Sequence, residues 1–114
     1  MTGAYVLAWL RAFAFTQVVE VPIYMRVARV TAWQGFVASL ITHPVLWFVI
    51  FPYLPASYDT KTIVGELWVW LTEAAYLRLM RYEPRLYRAL LWSLIANGAS
   101  LGLGELCRLL VGYP

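Results

Sequence analysis

Charge is scarce in this sequence. Only 13% of its 114 residues are charged, against about a quarter in a soluble globular domain, which needs a wet surface over its core. There is one histidine and one cysteine, Cys107. A lone cysteine excludes an internal disulfide, a CxxC redox pair and a cysteine-rich zinc site. No HExxH pair occurs, so zinc hydrolysis of that kind has no sequence basis, and no glycine-rich phosphate loop suggests a nucleotide. His43 lacks a second axial ligand of similar depth, which argues against haem. The net charge is +3. Its arginines do not gather into a groove, so they read as topology signals, and no nucleic acid is expected as a partner.

Apolar and aromatic residues fill the space that charge leaves. Hydrophobic residues make up 62% and aromatic residues 17%, and the mean hydropathy is +0.67. A hydrocarbon core about 30 Å thick is crossed by roughly 20 helical residues. Four stretches reach that length: Ala4 to Tyr24, Trp33 to Leu54, Thr62 to Met80, and Leu86 to about Leu106. The connections "PYLPASYDTK" and "RYEPR" separate them with turn residues. A soluble four-helix bundle would need a polar face on every helix, and "VLWFVIFPYL" has none. The expected fold is therefore all-α: a single domain over 1–114 of four transmembrane helices, arranged as two hairpins, about 4–54 and 62–110.

Arginine placement suggests the direction. Arg26 and Arg29 lie in the first connection, and Arg78, Arg81, Arg85 and Arg88 lie around the third. The positive-inside rule then puts both termini outside a multi-pass cell-membrane protein. Tyr24, Trp33, Tyr76, Tyr82 and Tyr87 would mark the inner interface, and Tyr5, Trp9, Tyr53, Tyr58 and Tyr113 the outer one. Arg11 interrupts the first apolar run and no small-x-small cleavage pattern follows, so that run is expected to be a helix of the mature protein rather than a signal peptide.

The chain also echoes itself. "EVPIYMRVAR" (Glu20 to Arg29) and "EAAYLRLMR" (Glu73 to Arg81) share Glu, Tyr, Arg and Arg in order, after a one-residue gap. Each is followed by a segment beginning "SLI", at Ser39 and at Ser93, and Asn97 stands where His43 stood. The match predicts a parallel duplication related by an axis along the membrane normal.

Those echoes carry the polar groups. Glu20, His43, Glu73 and Asn97 fall at similar depth, near the middle of their spans. A charged carboxylate at mid-bilayer costs about 2.5–3.5 kcal/mol on insertion scales, so these side chains should face the bundle interior or a wet cavity. Ser39, Ser100 and Glu66 are the further candidate binding residues. Ser39, His43 and Trp47 share a helical face by four-residue spacing, as do Ser93 and Asn97. Pro22 and Pro44 each remove a backbone donor close to this layer. Gly98 and Gly102 form a GxxxG that can admit a neighbouring helix. An outer layer holds Glu66, Glu105, Arg11 and Arg108.

A carboxylate, an imidazole and an amide can pass a proton or coordinate a cation, with Glu20, His43 and Glu73 as the candidate metal ligands. The first expectation is thus cation or proton binding and transport, without an enzymatic step. The second is a non-catalytic structural or assembly subunit, its polar layer serving as interhelical glue. Beyond the lipid bilayer, the expected partners are further copies of the chain or a larger membrane complex, because four short spans enclose little volume.

Overall fold

A computed structural model describes residues 2–112; Tyr113, one of the expected outer interface markers, lies outside them. The chain forms four long helices: α1 (Gly3–Val27), α2 (Ala32–Tyr53), α3 (Tyr58–Leu79) and α4 (Leu86–Val111). Within α2 the five residues Leu46–Ile50 form a π-helical turn, starting two residues after Pro44.

Local chemistry sets the ends. The Thr2 hydroxyl accepts from the Tyr5 N–H at 3.1 Å and opens α1. Thr31 and Gln34 make a reciprocal capping box at the start of α2, with bonds of 3.2 and 2.9 Å. Ser57 accepts from the Thr60 N–H and starts α3 four residues earlier than the apolar run suggested. Gly112, at φ 77°, closes α4 with its N–H on the Arg108 carbonyl. Beyond α1 and α3 the chain turns through two left-handed residues, Arg29 (φ 55°) and Arg81 (φ 61°). A Cβ makes that region unfavourable for non-glycine residues.

α1 packs on α2 and α4, and α3 packs on the same two helices, so the four close into a ring. Each helix runs opposite to its chain neighbours, which places the helix pairs α1, α3 and α2, α4 on the diagonals. Three helices, α1, α2 and α4, are long and apolar enough to cross a membrane. α3 is 22 residues long but falls outside that group. The reason is in its sequence: Asp59, Lys61, Glu66, Glu73 and Arg78 dilute its apolar character. The bundle exterior is clad in bare hydrocarbon, with Val18 73%, Leu79 77% and Leu109 82% exposed. Apolar cover on this scale belongs to a lipid or protein neighbour rather than to water.

The bundle has two unlike ends. At the end holding the α1–α2 and α3–α4 connections, Tyr24, Ala28, Val30, Ala38, Ala74, Leu77 and Ala89 form a buried cluster. Its alanines let the helices approach closely. At the other end, near Thr2, Tyr58 and Arg108, the helices enclose a cavity of about 700 Å³. The GxxxG expectation takes a different form. A Cβ at Gly98 or Gly102 would meet nothing within 4 Å, so no helix of this chain approaches there. With Asn97 turned inward, both glycines fall on the outer arc of α4. The close approaches occur instead at Gly35, whose added Cβ would lie 3.5 Å from that of Tyr24, and at Gly65 beneath Leu46.

Candidate functional site

Glu20 and Glu73 are buried side by side at the level where the cavity gives way to the packed end. Glu20 is 1% exposed and Glu73 0%. Five side chains from the other helices converge on them. Glu20 takes the Ser39 hydroxyl at 3.1 Å on Oε1 and the Ser100 hydroxyl at 2.5 Å on Oε2. Glu73 takes the Tyr24 hydroxyl at 2.6 Å and the Asn97 amide at 3.2 Å on Oε1, and the Thr42 hydroxyl at 2.7 Å on Oε2. Each carboxyl therefore bonds to both helices that flank its own.

The partners differ in kind. Serine hydroxyls both donate and accept, so Ser39 and Ser100 can follow Glu20 through either protonation state. Asn97 cannot do this for Glu73. Its Nδ2 also donates 2.9 Å to the Ser93 carbonyl, an obligate acceptor, and that bond fixes which end of the amide faces Glu73. Two neighbouring carboxylates in a dry interior do not both ionise readily, because like charges repel strongly there. Glu73 is thus held by one obligate donor and two hydroxyls, and Glu20 by two hydroxyls alone.

Glu20 borders the cavity together with Asn97 and Ser100, whereas Glu73 lies behind them and does not line it. His43 lines the cavity wall, 8% exposed, with no partner for Nδ1. Its ring lies 5.7 Å from that of Phe13. Glu66 lines the same wall higher up, half-buried. At the mouth Arg108 pairs with Glu105 at 3.3 Å, which brings together two members of the expected outer layer.

The layer read from sequence is thus partly assembled. Glu20, Glu73, Asn97, Ser39 and Ser100 meet in one network. His43 and Glu66 sit on the wall of the adjoining cavity, outside that network. Among the described residues no three His, Cys, Asp or Glu side chains are placed to hold a metal ion, the set Glu20, His43 and Glu73 included. His43 turns toward Phe13 and the chamber, away from the carboxyl pair.

Two site residues escaped the sequence reading. Tyr24, taken as an interface marker, is fully buried on Glu73. Its place four residues after Glu20 puts it on the same inward stripe, which was the available signal. Thr42 follows Ser39 by three residues and shares its face, but the adjacent histidine drew the attention. Tyr76, also taken as an interface marker, is half-buried and donates 2.8 Å to the Gln34 carbonyl.

The chain matches no family model, no curated protein and no solved structure. Its function has to be argued from the site itself.

Proposed function

We propose that this chain is a four-span membrane protein that binds a proton or small cation at the Glu20–Glu73 pair and exchanges it through the cavity. The observation that carries this reading is the position of Glu20. It stands between an open chamber on one side and a second, fully enclosed carboxyl on the other. A group so placed can be loaded from the chamber, with Glu73 behind it as a second carboxyl. The bundle beyond Glu73 is closed by Tyr24 and Leu77, both 0% exposed. Passage to the other side then requires the helices to move, as alternating access demands.

The arginine pattern assigns the packed end to the cytoplasm and the chamber mouth to the outside. α3 is the span that composition alone does not identify. Its place in the closed ring and its inward Glu73 support counting it as the fourth. A parallel duplication is supported by the backbone as well: Arg29 and Arg81, equivalent in the repeat, are the two left-handed non-glycine residues among the described residues.

The test is proton uptake into liposomes that contain the purified protein and a pH-sensitive dye. Wild type should carry protons or couple them to a cation, and Glu20→Gln should abolish this while the protein remains helical and monodisperse. Wild-type flux in Glu20→Gln would end the reading. The assembly-subunit alternative draws on the outward Gly98 and Gly102 of α4, which leave a shallow strip for another helix. Under it, the protein would co-purify with a stoichiometric partner and show no flux.

A further inference from the structure

A proton or a bare metal ion has no need of a chamber of about 700 Å³. That volume falls in the range of small-molecule sites, about 300–1,000 Å³. Its walls are largely hydrocarbon and aromatic: Phe15, Leu46, Trp47, Phe51 and Leu101 among them. Its charged groups are few and mostly acidic. Glu20 closes the floor and Glu66 stands on the wall, whereas the rim cation Arg108 is already engaged by Glu105.

Glu66 is the least explained of these groups. No hydrogen bond or ion pair reaches it among the described residues. A carboxylate in low dielectric calls for a positive partner or a proton. The buried Nδ1 of His43 on the same cavity wall has no partner either. Meanwhile no three ligating side chains converge as a divalent ion would need. Unpaired acid, an unpartnered imidazole nitrogen and an apolar wall together fit a cation that carries hydrocarbon of its own.

We infer that the chamber binds an organic ammonium ion: an amine whose charged nitrogen pairs with Glu66 above the floor formed by Glu20, and whose apolar body lies against Phe15, Leu46, Trp47 and Phe51. Aromatic faces add attraction for such a cation. The inference extends the cation-binding reading above to a class of substrate and rests on it. If the amine is exchanged against the proton on Glu20, charge balances: one ammonium enters as one proton leaves.

Titration calorimetry on the full chain in nanodiscs tests this, with 4-phenylbutylamine as probe and 4-phenylbutanol as its neutral counterpart. Heats from empty nanodiscs are subtracted to remove partitioning into lipid. The amine should bind saturably and at least about tenfold tighter than the alcohol, a modest margin for one charge pair away from water. Glu66→Gln should lose that margin. Equal binding of amine and alcohol, or an unchanged amine affinity in Glu66→Gln, overturns the inference. Should Glu66→Gln fail to fold, the comparison of amine with alcohol on wild type decides alone. Proton uptake without amine selectivity would leave the cation reading standing and remove the substrate class. Amine selectivity without proton uptake would keep the amine site and remove proton exchange at the Glu20–Glu73 pair.

Discussion

The two ends of this bundle are built from the same four helices and the same apolar vocabulary, yet one is solid and the other hollow. At the solid end alanines bring the backbones together, and Tyr24 and Leu77 fill what remains. At the hollow end Phe15, Trp47, Phe51 and Tyr58 line the wall, and Phe51 and Tyr58 contact each other with ring centres 5.9 Å apart. The carboxyl pair marks the boundary. Glu73 belongs to the solid side and is held by three donors; Glu20 belongs to the hollow side and is held by two hydroxyls that can reverse their bonds. Small residues at the axis therefore make a seal, and large ones at the periphery make a room.

The change that most directly breaks this contrast is Tyr24→Ala. It removes the ring that seals the pair from the far end. Truncating a fully buried aromatic costs about 3–5 kcal/mol, and reconstituted protein should leak protons in the absence of any coupled ion. Thermal unfolding together with a dye-based leak assay reads both effects. Tyr24→Phe keeps the plug and deletes only the 2.6 Å bond to Glu73. Removing one buried hydrogen bond costs about 0.5–1.5 kcal/mol, and here vesicles should stay tight. A leak in Tyr24→Phe equal to that of Tyr24→Ala would show that the hydrogen bond, and not the ring, makes the seal.

A matched pair of enlargements sharpens the comparison from the other direction. Ala38→Leu pushes into the solid end, where Ala38 is 0% exposed, and overpacking there should cost about 1–3 kcal/mol. Ala12→Leu faces the chamber and should leave the melting temperature close to wild type while reducing the bound amine. Equal destabilisation by the two would erase the distinction between the ends.

The smallest effect is expected in the loop outside the spans. Burial of Glu83 pushes its carboxyl upward, but hydrogen bonds from the Trp92 ring N–H (2.9 Å) and the Arg85 N–H, with Arg88 and Arg85 nearby, outweigh it and hold the group below its usual range. A carboxyl depressed in the folded state adds stability above its unfolded value, and that stability fades as pH falls through the folded one. Acidification from neutral pH to about pH 3, below the ordinary carboxyl range, should therefore lower the melting temperature slightly. In Glu83→Gln this part of the acid sensitivity should be absent.

Much of the solid-and-hollow plan was written in the sequence only in part. Four apolar stretches and their turn residues located four helices to within a few residues. The exceptions were the early start of α3 and the late end of α4, where capping and helical propensity carried the helix beyond the apolar run. Depth counting brought Glu20, Glu73 and Asn97 together correctly, because helices fix rise per residue. It failed for His43. Depth alone does not specify the angle around the helix. Nor can one-dimensional patterning show a cavity, since a ring of large residues reads the same whether it fills the axis or lines it. Tyr24 illustrates the limit most plainly: a tyrosine near a span end favours the interface on statistics, and only its partner on α3 explains why it is buried.

That interruption in α2, the π-helical turn from Leu46 to Ile50, has a consequence for how the chamber could be lost or gained. A π turn is one residue of slack let into an α-helix. Its widened backbone leaves carbonyls to be met from outside, and here Trp47 receives the Tyr5 hydroxyl while Phe51 receives the Lys61 ammonium at 2.7 Å. Removing a single residue from this turn would restore the ordinary ladder. The carbonyls now met by Tyr5 and Lys61 would then be taken back by the helix, removing two ties that hold the chamber wall at Trp47 and Phe51 without altering any residue of the carboxyl site. The room at the open end thus hangs on a one-residue insertion, a length variation rather than a chemical one.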